Sequence, residues 1–411
     1  MTRNLSIKAE RIAADIGELA AITEPDSPWT RRAFTPMFLK GRAYLERRFR
    51  EAGLRTHVDA AGNLVGARKG GGSQGVIMLG SHSDTVPNGG RFDGIAGVAA
   101  ALEVARALDE AGIVLDHDLE IVDFLAEEVS IFGVSCIGSR GMLGLRPAEW
   151  LERQADGMSL ADGICMVGGD PSAIGGRNDI KAFLELHIEQ GPVLERDGMD
   201  IGAVTAIAGI TRIEIVIEGR ADHAGTTPMG LRRDALTSAS RVVLGIERIA
   251  SEIARGPSHF AATVGEFSME PNAANVVPSH VRMLIDARAE DPAVMDQFQD
   301  AVVALTAQTA EKSGVTIPAP RRISNNPATP MAEPVVALIE ESAKGLGASS
   351  RRMVSGAGHD AAFLAKAAPA AMIFIPCRDG RSHAPEEWAE NDDIALGAAV
   401  LYETVLKLDK Q

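Results

Sequence analysis

The stretch Gly75-Val76-Ile77-Met78-Leu79-Gly80-Ser81-His82-Ser83-Asp84-Thr85 is an apolar run closed by glycines and followed at once by polar side chains. A short apolar run bounded in this way reads as a buried strand. His82 and Asp84 then fall at its carboxyl end. Residues two apart on an extended segment point the same way. The imidazole is therefore free to offer a ring nitrogen, while Asp84 steadies the chain or the ring behind it. Asp93 follows in Gly90-Arg91-Phe92-Asp93-Gly94, a Gly-rich loop that opens a helix. A His and a nearby Asp on strand-end loops suit a hard or borderline metal such as zinc.

Working outward, two more apolar strands end in the same kind of side chain. Leu119–Leu125 runs into Ala126-Glu127-Glu128, and Ala182–Gln190 carries His187 and stops at Gly191-Pro192. An Ala-rich helix spans about 94–111 between the first two. Upstream, residues 7–22 and 38–52 have the periodicity of helices, with Phe38, Leu45 and Phe49 on one face. Strand signals at 55–68 lead into Lys69-Gly-Gly-Gly-Ser73, a turn without the spacing or the Lys-Ser/Thr ending of a phosphate loop. Residues 130–180 read as Gly-rich loop and short helices. Ser139-Arg-Gly141-Met-Leu-Gly144 matches a dinucleotide fingerprint only loosely, with no acidic residue placed to support it. Strands alternating with helices predict an α/β sheet.

After about 207 the pattern changes. Thr211–Glu218 and Val276–Arg288 alternate with period two, which predicts antiparallel strands with one wet face. Helices are expected at 233–254 and 292–312. This β-α-β-β-α-β content reads as an inserted domain, and Pro-rich stretches near 317–334 as the return linker. The α/β pattern then resumes. It has a helix at 333–345, the loop Ser355-Gly-Ala-Gly-His359-Asp360, the strand Ala371–Ile375 and His383. A final helix carries Ile394, Ala398, Leu401, Val405 and Leu408 on one stripe.

A chain of 411 residues has room for two domains, and 45% hydrophobic residues suffice for a core built largely from aliphatic side chains, since aromatics are only 4%. The net charge of -15 argues against a nucleic-acid-binding surface. Cys136, Cys165 and Cys377 are odd in number and widely spaced, so reduced thiols in a cytoplasmic protein are expected. The N-terminus has no apolar signal segment, and no run is long enough to span a membrane.

His82, Glu128, His187 and His383 each lie at or just beyond a different strand end, with Asp93 on the loop after the first. Taken singly, each is most simply a hydrogen-bonded core histidine, a turn residue or a solvated strand end. Together they converge on the crevice where open α/β sheets gather ligands. Three imidazoles and two carboxylates suit two zinc ions sharing one carboxylate. Of the neighbours Glu127 and Glu128, one can bind metal while the other moves a proton.

The chain resembles the zinc-dependent hydantoinase/carbamoylase family of amidases, relatives of the di-zinc aminoacylases and carboxypeptidase-like exopeptidases. The resemblance is carried by Gly80–Gly94, Glu127-Glu128, Leu186–Pro192, Asp222-His-Ala-Gly-Thr-Thr-Pro228, Ser355–Asp360 and Ser382-His-Ala-Pro385. His187, where the peptidases usually have an acidic residue, points to the amidase branch.

The resemblance implies a di-zinc exopeptidase-like mixed-sheet catalytic domain at 1–207 and 326–411. An inserted α+β, ferredoxin-like lid and dimerisation domain would span 208–325. It implies two divalent ions per subunit, zinc first, with manganese, cobalt or nickel able to use the same ligands. One ion would be held by His82 and His187, the other by Glu128 and His383, with Asp93 bridging. Glu127 would be the general base and Asp84 a supporting residue. His223 would stabilise the oxyanion, and Gln190, Asn275, Arg288 and Gly356 would bind a carboxylate-bearing ureido substrate. The implied partner is a second copy of the chain, with no nucleic acid and no membrane. The implied reaction is hydrolysis of the carbamoyl amide of an N-carbamoyl-L-amino acid. The alternatives are an allantoate amidohydrolase, another ureido-acid hydrolase such as a β-ureidopropionase, a di-zinc exopeptidase or a non-catalytic homologue.

Overall fold

A computed structural model describes residues 6–72, 75–173 and 175–411. The first five residues, Ser73 of the glycine turn, Gln74 and Ile174 lie outside them. The chain divides into two compact units, one of residues 1–205, 330–353 and 358–411, the other of residues 206–329 and 354–357.

The first unit is built on a nine-stranded mixed sheet. Its order is Arg55–Val58, Leu64–Arg68, Asp118–Phe124, Val76–His82, Ile180–Ile188, Ala370–Ile375 and Ile201–Ile207, with Thr329–Pro330 and Ser350–Ser355 pairing with the last. Val76–His82 lies between Asp118–Phe124 and Ile180–Ile188, parallel to both, and Ala370–Ile375 runs parallel to Ile180–Ile188 on its other side. All seven residues of Val76–His82 are buried. A strand covered on both faces needs a continuous apolar run rather than alternation, which is what Val76–Leu79 supplies. The helix Ile95–Glu110 buries fourteen residues, mostly Ala, Val and Leu, so small side chains let it lie low in the core. Because these strands are parallel, their carboxyl ends meet at one edge of the sheet, and His82, the Ala126–Glu128 segment and His187 arrive there together.

The second unit has a four-stranded antiparallel sheet in the order Phe260–Glu270, His280–Ala289, Gly209–Glu218, Arg321–Asn326. Helices Ala235–Ile253 and Pro292–Ser313 lie between the first and second strands and between the third and fourth in chain order, a ferredoxin-like arrangement. Ile213, Ile215 and Ile217 face Val281, Met283 and Ile285 in a core closed by Val242, Ile246 and Phe298. Each such aliphatic side chain contributes about 1.5–3 kcal/mol on burial. The stretch expected as a return linker contains the strand Arg321–Asn326, paired with Gly209–Glu218.

Candidate metal centre and active site

Asp93 is buried at the middle of the site and uses its two oxygens separately. Oδ1 lies 3.5 Å from His82 Nε2 and 3.2 Å from His187 Nε2, while Oδ2 lies 3.2 Å from His383 Nε2. His383 Nε2 is in turn 3.1 Å from Glu128 Oε1. Two groups result, His82–Asp93–His187 and Asp93–Glu128–His383, and within each the ligand atoms lie within 4.8 Å of one another. Each group offers nitrogen and carboxylate donors, the set that divalent zinc and its neighbours accept.

The imidazoles are held from behind. His82 Nδ1 is 3.0 Å from the Asp84 carbonyl and His187 Nδ1 is 2.9 Å from the Ile188 carbonyl. A carbonyl only accepts, so each Nδ1 carries the proton and each Nε2 faces inward, the tautomer a metal needs. The Asp84 carboxylate takes a different partner: it accepts the backbone N–H groups of Glu127 and Glu128, each at 3.2 Å. It thereby ties the two acidic residues to the His82 loop. Ala126 turns the chain there with φ 53°, in the left-handed region that costs a non-glycine residue energy and is common at active sites. At Gly94, also left-handed at φ 67°, an added Cβ would sit 2.5 Å from the His82 ring, so only glycine lets the Asp93 loop come this close.

Glu127 belongs to neither group. Its Oε2 lies 3.6 Å from His82 Nε2, and the Cys136 thiol approaches its Oε1 at 3.6 Å. Burial, reinforced by the Glu128 charge, pushes the Glu127 carboxyl well above the usual range despite His82 nearby. Burial acts the same way on Asp93, but the three imidazoles overcome it and hold that carboxyl well below the usual range. Hydrogen bonds that Asp93 and Glu128 accept from its ring lift His383 to about 10. Burial would lower His82, yet Glu127, Asp84 and Asp93 lift it well above the imidazole range. The cluster is thus an excess of negative charge that either protons or cations can satisfy, as metal-binding residues require.

Gln190, also left-handed at φ 57°, donates from Nε2 to Asp93 Oδ2 at 2.8 Å. Ser382 Oγ lies 2.8 Å from the same Asp93 oxygen. Neither Ser382 nor Cys136 carried a role in the sequence reading. The signal for Ser382 was its place directly before His383. A third group, Glu185–His187–His359, also has metal-ligand spacing. Its carboxylate is committed, accepting from Ser81 Oγ at 2.8 Å and from the Ala361 N–H at 3.2 Å.

In the second unit, His223 is exposed and accepts the Gly225 N–H at Nδ1, 3.0 Å away. The Asn275 carbonyl accepts the Ala224 N–H at 3.0 Å, which brings Asn275 close to His223 in the chain fold. Arg288 is half-buried, donating to Asp286 Oδ1 at 2.9 Å and to the Gly356 carbonyl at 2.6 Å. The residues expected to act therefore fall into the cluster around Asp93 in one unit, and the pairs His223–Asn275 and Arg288–Gly356 in the other.

The model of peptidase family M20/M25/M40 matches residues 78–407, a span that includes all five candidate ligands. The chain belongs to this family. Among its relatives, an N-carbamoyl-L-amino acid amidohydrolase of Geobacillus stearothermophilus is 39% identical over 98% of this chain and 99% of its own. An allantoate amidohydrolase of Bacillus subtilis is 36% identical over 93% of each. A solved hydantoinase/carbamoylase family amidase from Burkholderia multivorans superposes with a TM-score of 0.92, at 37% identity over 98% of both chains.

Proposed function

We propose that this protein hydrolyses the carbamoyl amide of N-carbamoyl-L-amino acids, giving the amino acid, carbon dioxide and ammonia. The observation that carries this reading is the division of Asp93 between two ligand groups, with the Glu127 carboxylate beside them but in neither. Two divalent cations held there, zinc first, would polarise the scissile carbonyl and lower the pKa of the attacking water from about 15.7 toward about 7. His82, His187 and Asp93 would hold one, and Glu128, His383 and Asp93 the other. Glu127 takes the proton from water and delivers it to the departing nitrogen. His223 would stabilise the negative oxygen of the tetrahedral state. Arg288 takes the substrate carboxylate through its planar fork, with Gln190, Asn275 and Gly356 completing the grip.

Hydrolysis of allantoate is the second reading, favoured by the B. subtilis relative's name, and it would use the same groups. The test is a substrate panel with metal-reconstituted enzyme: N-carbamoyl-L- and D-amino acids, N-carbamoyl-β-alanine, allantoate and a dipeptide. Ammonia release from the N-carbamoyl-L-amino acids, abolished by a chelator and restored by zinc, manganese or cobalt, is expected. Turnover of the dipeptide alone would overturn the reading.

Arg288 gives a second expectation. Charge-assisted hydrogen bonds contribute about 1.5–3 kcal/mol, so Arg288→Ala should raise KM roughly 10- to 150-fold with a smaller change in kcat. An unchanged KM in steady-state assays would remove Arg288 from the substrate.

The domain assigned to 208–325 is read as a lid and as the contact between two copies in a homodimer. Support comes from the eleven-residue edge strand Phe260–Glu270 and from exposed Leu244, Phe267 and Ile323. A cytoplasmic location is part of the same reading. Cys136, Cys165 and Cys377 are free, and among the described residues no helix is long and apolar enough to cross a membrane.

A further inference from the structure

The loops bearing Asp93 and His383 come from distant parts of the chain, and one side chain joins them. Glu387 is fully buried. Its Oε1 accepts the backbone N–H of Phe92 at 2.8 Å and that of Asp93 at 3.0 Å. Its Oε2 lies 2.8 Å from Ser382 Oγ, which is also 2.8 Å from Asp93 Oδ2. The hydroxyl has one proton and serves one carboxylate at a time, while its lone pair accepts from Gln190 Nε2 at 3.2 Å. The Glu387 carboxylate rests on bare backbone at Gly90, where an added Cβ would fall 1.9 Å from its carbon and from Oε1.

The outer side of the same junction is braced by rings. The Arg91 guanidinium lies 4.5 Å from the Trp388 ring centre, 5.0 Å from Trp29 and 5.4 Å from Phe92. Trp29 Nε1 donates to the Pro385 carbonyl at 3.1 Å. Residues 90–93 and 382–388 are thus held together from inside by a carboxylate and from outside by stacked planes.

We infer that Glu387 is a positioning residue that sets the spacing of Asp93 and His383, and so the affinity of the Asp93–Glu128–His383 group for its ion. This rests on the metal reading above. Glu387 is in neither ligand group, and both its oxygens are engaged by the two loops. Its role is to fix the direction of the Asp93 backbone and the reach of Ser382. Ligands supported in this way typically lose about 10- to 100-fold in metal affinity when the support is removed.

The experiment titrates the metal-free full-length protein with cobalt(II), following the visible ligand-field bands, with zinc competition for affinity. For Glu387→Ala, uptake of the second ion should weaken about 10- to 100-fold while the melting profile stays cooperative. Glu387→Gln keeps an oxygen for the two backbone donors and should recover most of the loss. Should Glu387→Ala fail to fold, Gly90→Ala carries the test, because its methyl displaces a carboxylate that is still present. Weakened binding in that variant supports the inference. Wild-type affinity for both ions in the variants overturns it, as does a Glu387→Gln protein as weak as Glu387→Ala. If the wild-type protein itself takes up no cobalt, the metal reading fails instead, so the two failures are distinguishable.

Discussion

Replacing Glu127 by Gln lowers kcat by about 10²- to 10⁴-fold, the usual share of a positioned proton-transfer group, while the metal content stays near that of the wild type. The substitution keeps the shape of the side chain and leaves the Glu127 N–H on Asp84 Oδ1 at 3.2 Å. It removes the ability to take a proton, together with the negative charge 3.6 Å from His82 Nε2. Glu127 differs from its neighbour in this respect, since Glu128 is one of the three residues grouped with Asp93 and His383. Metal analysis of the purified variant separates the two roles. Activity within tenfold of wild type at full metal loading would take Glu127 out of proton transfer. Loss of metal together with activity would make it a ligand.

The largest expected effect on stability is far from this chemistry. Asp15 is buried on helix Ala9–Ala21 and accepts from Tyr44 Oη at 2.6 Å, Arg48 Nε at 2.8 Å and Arg106 Nη1 at 2.7 Å. It neutralises two arginines from two other helices, Pro36–Glu51 and Ile95–Glu110. Asp15→Asn keeps the volume but leaves Arg106, itself buried, without its full counter-charge. Breaking a buried pair from one side costs about 3–5 kcal/mol, read as a fall in the urea midpoint. The pH dependence follows from the same contacts. Burial alone would raise the Asp15 pKa, but Arg106, Tyr44 and Arg48 outweigh it and hold the folded value below 3.8. A depressed folded pKa gives stability that is present above 3.8 and is lost as pH falls through the folded value. The gap between wild type and Asp15→Asn should therefore be full at pH 6 and close only in acid below 3.8. A gap that is constant across that range would remove the charge as its cause.

Much of this was written locally. The buried strands announce themselves because a strand covered on both faces must be apolar throughout, and Val76–Leu79 has no polar residue to spare. The candidate ligands were legible for a related reason: His82, Glu128, His187 and His383 lie at or just beyond the ends of such runs, with Asp93 on the loop after the first. The helix expected at 333–345 spans Glu333–Gly345. What stayed hidden depends on partners. Arg321–Asn326 is Arg-Arg-Ile-Ser-Asn-Asn, with no apolar alternation, and is a strand only because Gly209–Glu218 offers it an edge. Phe260–Glu270 has a register break between Val264 and Glu266, so its apolar residues change phase in mid-strand and the period-two signal cancels. Glu387 is the sharpest case. In sequence it is the second residue of a Glu-Glu pair, and nothing in that pair says that Gly90 lies beneath it.

The sheet of the first unit is completed from the far end of the chain: Ala370–Ile375 slots between Ile180–Ile188 and Ile201–Ile207. On a ribosome adding about 5–20 residues per second, His383 is made roughly 15–60 s after His82. Through that interval the nascent protein has Asp93 and Glu128 but not the imidazole that completes their group, and it has an open strand edge where Ala370–Ile375 will go. On the metal reading proposed above, the order of synthesis would delay full loading of the site until the insertion has been made; it leaves that edge to be shielded in the meantime.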